Sequence, residues 1–481
     1  MRKWLPLLTV CLGTFMLLID VTIVNVALPD MRTDLDASFG ALQWVVDGYA
    51  LAMAALMLGA GSIADLAGHR RTYLAGLALF ATASLICGLA PNPTVLIAAR
   101  IAQGIGAATM SCTTFALLNA AYAGRDRGAA YGMWGAVAGA SSAIGPIIGG
   151  LLTEIVSWRW IFFVNLPFSV LAMALCLVVL TEGERAQHNR IDVAGMTIFT
   201  ASAATATYAL IRANEHGWTN ALTWWLLLGS GIALAAFVAI EIRSDQPVLD
   251  LTLLRDRFFT GVLIAGATLY FAAFAALMYT QIWMQSSLGL SPIAAGAVGL
   301  PLSLMAFVVS GALGKYLHGD NPGRIVGAGL ALIGLGGLLG ALFVHGDASW
   351  PALIPGSLLV GAGVGLATAT LSSAAMSTVP WHRAGMATGA LNTAQQLSFA
   401  LGIAALGGLF THRTRHVLDN PATTAAGVQL TLAVSGATAL LGALVVPILM
   451  RRRTPAAAES TDTTARFDSE STEHAVAERL S

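Results

Sequence analysis

Apolar residues come in runs of about 20, the length a helix needs to cross a bilayer, and polar residues are confined to the short breaks between them. Fourteen such runs follow one another: 5–28, 44–66, 72–90, 94–119, 131–153 and 160–180; then 192–213 and 221–241; then 259–282, 293–316, 324–344, 351–376, 386–410 and 427–450. The pattern predicts an all-α integral membrane protein with fourteen spans. The first run is too long for a cleavable leader and reads as a span. From 451 to 481 the chain turns polar and rich in Ala, Ser, Thr and Glu, the composition of a disordered tail.

Composition sharpens this. Hydrophobic residues make up 56% and charged residues 10%, against roughly 25% charged in soluble domains, and the mean hydropathy is +0.74. An even number of spans puts both termini on one side. The loops on that side carry Arg2, Lys3, Arg70, Arg71, Arg125, Arg127, Arg185, Arg190, Arg243, Arg255, Arg257, Lys315, Arg324, Arg383 and Arg451 to Arg453, whereas the other side carries Arg32, Arg159, Arg212, Arg413 and Arg415. Basic loops stay inside, so the termini are expected in the cytoplasm, with Arg413 and Arg415 against the trend. The four cysteines fall within apolar runs without metal-type pairing, and the histidines lie nearly all in loops without ligand spacing. Neither a metal nor a nucleophilic enzyme is indicated, and no nucleic-acid partner.

The chain also repeats itself. At an offset of 257 residues Gly104, Gly106, Gly128, Gly132, Gly145 and Gly150 coincide with Gly361, Gly363, Gly385, Gly389, Gly402 and Gly407 without a gap. Spans four and five thus match spans twelve and thirteen. The organisation expected is a six-helix bundle over 1–180, two additional spans with linkers over 181–258, a second six-helix bundle over 259–450, and the tail. Duplicated bundles that rock about a shared site belong to carriers.

Chemistry concentrates in the first half. Asp20 lies inside the first run, eight residues or about 12 Å from its far end. A carboxylate there is costly and points to function. Arg100 enters the fourth span at about 9 Å depth. The two can pair across a water-filled cavity, where protonation of Asp20 changes the field at a transport site, or form a static buried ion pair. Asp47, near the far end of the second span, is either mouth decoration or a second proton or substrate site. The last six spans carry no acidic residue in their apolar cores; Asp320, Asp347 and Asp419 fall in loops. Those spans offer Tyr270, Phe274, Met278, Gln281, Asn392 and Gln396, which with Asn25 and Gln103 can line a cavity for a large, partly aromatic guest, or simply pack. Gly135, Gly139, Ser142, Gly145 and Gly149 recur at helical spacing around Pro146 and Gly150, a smooth face for tight helix contact. Gly61, Asp65, Gly68, Arg70 and Arg71 form a short charged hinge between spans two and three.

Together these stretches resemble the major facilitator superfamily, in particular its fourteen-span drug–proton antiporters. Gly61–Arg71 resembles the loop motif between spans two and three, with Leu66 and His69 where basic residues are usual. Leu18–Pro29 and Leu96–Ala108 resemble the first-span and fourth-span motifs, the latter's Arg being implicated in proton coupling. Gly139–Gly150 resembles the antiporter signature, and Trp158–Pro167 a stretch shared by the fourteen-span group. The resemblance implies a multi-pass exporter in the cytoplasmic membrane, monomeric and without a cofactor. Protons enter down the proton-motive force as amphipathic organic molecules leave. By the same resemblance Asp65 with Arg70 or Arg71 latches the two halves. A dedicated exporter of one native metabolite, as in self-resistance to a produced antibiotic, is the alternative.

Overall fold

The protein's structure, a computed structural model, describes residues 2–122, 124–182, 192–244, 251–313, 321–346, 348–377, 384–414 and 421–451. The tail, Asp320, Asp347, Asp419 and the side chain of Asp65 lie outside the described residues, as do the surroundings of Gly61 and Gly139. No strand occurs among the described residues. The chain runs through α1 (Leu5–Asp34), α2 (Phe39–Ala67), α3 (His69–Gly88), α4 (Pro93–Ala121), α5 (Gly124–Ile155), α6 (Trp160–Phe163) and α7 (Asn165–Val179). It continues through α8 (Val193–His216) and α9 (Ala221–Arg243). The remainder is α10 (Arg257–Leu269), α11 (Leu277–Ile282), α12 (Pro292–Val298), α13 (Leu300–Leu313), α14 (Pro322–Phe343), α15 (Ile354–Ser377), α16 (Ala384–Thr414) and α17 (Pro421–Leu449).

Among the described residues thirteen helical stretches are long and apolar enough to span a membrane. The fourteenth, α5, is long enough, and its described residues include the shorter apolar stretch Ile144–Ile155. Local chemistry sets many starts: the side chains of Ser38, Asn92, Asp192, Asn220, Asp256 and Ser291 each accept from a backbone N–H of the following first turn. Three predicted spans are broken rather than continuous. The sixth divides into α6 and α7 at Val164, and the tenth into α12 and α13 at Gly299. In the ninth, π-helical turns at Tyr270–Phe274 and Trp283–Ser287 flank α11. Such turns are frequent at functional sites.

The glycine repeat has a packing explanation. A Cβ at Gly104 would press on the Tyr49 carbonyl of α2, and one at Gly361 on the Leu302 carbonyl of α13; Gly106 abuts α3 at Gly76 and Phe80, and Gly363 abuts α14 at Gly329 and Ile333. Gly150 meets Pro292 and Ile293 of α12, while Gly407 meets Gln43 of α2. These three matched pairs thus make corresponding close approaches in the two halves, the last pair across the seam between them. The face expected from Gly135 to Gly149 is tight only in its later part: Gly135 opens onto empty space, whereas Gly145 sits against Thr22 and Gly149 against Ile23.

Among the described residues three large apolar cores hold the bundle, beside a small one of Phe259, Ala387 and Ala390. One draws only on the first half, from Leu7 and Val10 to Tyr122 and Leu180. A second draws only on the last six spans, from Phe258 and Val262 to Val446 and Met450. Both reach helix ends on the side of the termini. The third joins the halves and gathers helix ends on the opposite side, among them Leu28, Met31, Leu42, Cys87, Leu96, Trp158, Val344, Leu353, Phe410 and Ala425. The halves therefore share a core on one side and keep separate cores on the other. The additional spans flank this junction: α8 packs on both α2 and α16, with Tyr208 against Trp44 and Asn214 Nδ2 donating to the Ala404 carbonyl at 2.8 Å. In turn α9 packs on α8, through Ser202 and Ser230 and through Phe199 and Phe237, and turns Trp224 and Trp225 outward.

Candidate functional site

Asp20 sits at the middle of α1, which extends six residues beyond the predicted span end at 28 through the polar turn Pro29–Asp34. Its counter-charge is the one anticipated. Arg100 Nη1 donates to Asp20 Oδ2 at 2.5 Å, and the two side chains are 1% and 0% exposed. No water-filled cavity separates them. The rest of the coordination is amide: Gln103 Nε2 donates to Asp20 Oδ1 at 2.8 Å, and Asn165 Nδ2 donates to the same oxygen at 3.2 Å. Gln103 is itself oriented at both ends, its Nε2 also donating to Ser84 Oγ and its Oε1 accepting from Arg100 Nη1. The guanidinium is completed by Nε donating to the Val45 carbonyl at 3.0 Å and by the faces of Tyr49 and Phe162, 4.3 Å and 5.9 Å from Cζ. Four helices and the α6–α7 break thus converge on one carboxylate, and protein groups take the place of its hydration shell.

Asp47 is placed quite differently. It is 0% exposed, which removes mouth decoration as its role, and neither carboxylate oxygen has a hydrogen-bond partner. One turn earlier on α2, Gln43 Nε2 donates to the Tyr279 hydroxyl at 3.3 Å and to the Ile403 carbonyl at 3.1 Å. The Tyr279 hydroxyl donates to the same carbonyl. This second polar cluster lies within the core that joins the halves.

The hinge between α2 and α3 is a single residue, Gly68, whose φ of 98° is open to glycine but strained for other residues. Arg70 N–H donates to Glu182 Oε1 at 3.1 Å, and its guanidinium donates to the carbonyls of Cys176 and Leu177 at the end of α7. Arg71 lies 3.9 Å from Glu182 Oε2. Both arginines are therefore engaged with the end of α7 and with Glu182 just after it.

The sequence profile of the Major Facilitator Superfamily matches residues 10–403. The chain belongs to that superfamily. It is 38% identical to the multidrug resistance protein Stp of Mycobacterium tuberculosis over 407 residues, 84% of this chain and 75% of Stp. It is 32% identical to the puromycin resistance protein pur8 of Streptomyces alboniger over 473 residues, 95% of this chain and 93% of pur8. The fold resembles that of a POT-family transporter solved with 5-aminolevulinic acid, with a TM-score of 0.69 at 16% identity, covering 92% of this chain and 96% of that one. The protein is a multi-pass membrane transporter of the fourteen-helix type, not an enzyme.

In this superfamily member the α5 signature is a joint between halves. Pro146 presents its carbonyl to Gly296, Gly150 lies against Pro292 and Ile293, and Glu154 Oε2 accepts from Ile293 N–H at 3.0 Å. The residues proposed for a substrate cavity are not gathered at one surface. Gln103 belongs to the Asp20 cluster; Met278 is 0% exposed in the joining core. Gln281 is buried and donates to the Ala295 carbonyl at 3.4 Å, and Gln396 is buried. Tyr270 and Phe274 meet across the π turn with tilted rings 4.9 Å apart and are half-buried, as is Asn392. Asn25 donates to the Val21 carbonyl while its Oδ1 has no partner. Asn165, Ser84, Tyr49, Gln43 and Glu182 carry roles that residue type did not reveal. Only Asn165 had a signal, as a polar residue within a predicted span and inside the stretch Trp158–Pro167.

Proposed function

We propose that this protein exports amphipathic drugs or antibiotics across the cytoplasmic membrane in exchange for protons, with both termini in the cytoplasm and Asp20 as the proton carrier. The observation that carries the reading is the sealed Asp20–Arg100 pair. Protonating Asp20 would leave the guanidinium of Arg100 buried against Tyr49 and Phe162 without a counter-charge. Losing one partner of such a pair costs about 3–5 kcal/mol, whereas reversing a 99:1 population takes about 5.5 kcal/mol. A single proton thus supplies most of what is needed to favour another arrangement of the bundle. Cores shared on the side opposite the termini and separate on the other support a cytoplasm-facing conformation, ready to receive substrate. The reading requires no cofactor, since the gradient supplies the energy, and it treats one chain as the working unit. Drug export is further supported by the names of the relatives.

Ethidium efflux from cells expressing the full chain tests this. It is expected to exceed that of control cells and to collapse when a protonophore is added; efflux that persists would exclude proton exchange. A second reading, export of one native antibiotic, is favoured by the match to pur8 along nearly its whole length. Under that reading ethidium is not moved, while resistance to one compound remains.

A further inference from the structure

The stretch Trp158–Asn165 grips α1 at two carboxylates. At its start Trp158 Nε1 donates to Asp34 Oδ2 at 3.0 Å and Arg159 Nη1 to the same oxygen at 2.5 Å. At its end the chain breaks at Val164, and Asn165 opens α7 with its amide 3.2 Å from Asp20 Oδ1. The first pair is half-exposed, and such pairs contribute little. The second is buried, with Asn165 2% exposed. We propose that Asn165 is a positioning residue of the Asp20 site, the third donor to its carboxylate, and that it sets the pH range over which the transporter takes up its proton. This deepens the proton-exchange reading and rests on it.

The reasoning is local. An anion removed from water needs donors in place of its hydration shell. Oδ2 has Arg100; Oδ1 has only the two amides of Gln103 and Asn165. Other titratable groups near Asp20 are Tyr49 from α2 and Cys87 from α3, which accompany Arg100 from α4. Nearby, α5 offers Glu154, which is engaged with α12, while α6 and α12 carry no charged residue. Arg70 engages the far end of α7, around Cys176, and Tyr279 of α11 is turned to Gln43 and Ile403. Asn165 is thus the one donor to Oδ1 whose removal leaves Arg100 and Gln103 in place. Losing a donor that favours the anion moves proton uptake to higher pH, by about one unit for a charge-assisted hydrogen bond of this length.

An infrared pH titration of the full-length protein in lipid vesicles tests the proposal without a substrate, reading the carboxylic-acid carbonyl band that disappears in Asp20→Asn. In Asn165→Ala the midpoint of that band is expected about one unit more alkaline than in wild type. Ser169→Ala, one turn along α7 and bonded to Met16 rather than Asp20, should leave it unmoved. If Asn165→Ala does not insert stably, Asn165→Ser, which keeps a shorter donor, should still shift the midpoint in the same direction. A band that vanishes in Asp20→Asn yet titrates identically in the Asn165 variants and wild type overturns the role of Asn165 alone. If Asp20→Asn removes no titrating band, the proton-exchange reading falls and takes this proposal with it.

Discussion

Among the described residues of the first half two carboxylates are buried, Asp20 and Asp47, and their surroundings differ sharply. Asp20 has an arginine and two amides on its oxygens, while Asp47 has no hydrogen bond at all. Both are 0% exposed, so burial does not distinguish them. What differs is the supply of donors. The Asp20 site is built to hold a negative charge in the absence of water, and its counter-charge becomes a liability once the charge is removed. The Asp47 site offers no donor to either carboxyl oxygen and is set among the residues that join the halves. A titrating group that drives a conformational change needs an environment whose energy depends on its charge state, and a donor-rich site coupled to a fixed cation has that property.

The sharpest way to break this comparison is to remove the cation. Arg100→Ala strands the Asp20 carboxylate, and we expect a loss of about 3–5 kcal/mol in stability, visible as a large drop in melting temperature in detergent together with loss of transport. Restoring neutrality with Asp20→Asn in the same chain should recover melting but not transport. Next in size is Gly150→Val. A Cβ there would lie 2.5 Å from the Pro292 carbonyl and 2.7 Å from Ile293 Cα, so the variant should be inserted yet fail to close the side opposite the termini. Cysteine cross-linking between α5 and α12 would report this as lost proximity, and unchanged cross-linking would show that the seam tolerates the side chain. Asp47→Asn should keep or raise the melting temperature, because no hydrogen bond is lost, and should reduce transport less than Asp20→Asn. The smallest effect is expected for Ser84→Ala, which takes from Gln103 one neutral hydrogen bond worth about 1 kcal/mol. A modest fall in transport with an intact fold would place Ser84 as support for Gln103.

Much of this was legible in the sequence, because bilayer thickness makes span length a strong signal. Over their described residues the fourteen runs correspond to helix, and the Asp20–Arg100 pairing followed from two charges at similar depth in a medium that tolerates neither alone. Helix ends were less legible: α1 continues to Asp34 past Pro29, because apolar character ends before the hydrogen-bonded backbone does. The status of Asp47 was hidden, since its cover comes from residues more than 200 positions away, such as Tyr279. Glu182 was hidden for the same reason and Asn165 showed only as a polar residue within a span, since only the packing of α7 on α1 and α3 gives each its partner. The glycine repeat was visible, but its division into contacts within a half and contacts across the seam was not.

The most direct test of the account is pH-gradient-driven ethidium accumulation in inside-out membrane vesicles, comparing wild type, Asp20→Asn and Asp47→Asn at equal expression. The account predicts accumulation by wild type that a protonophore abolishes, none by Asp20→Asn, and a reduced but protonophore-sensitive signal from Asp47→Asn. Wild-type accumulation by Asp20→Asn, with none by Asp47→Asn, would contradict it and transfer the proton to the carboxylate that has no donors.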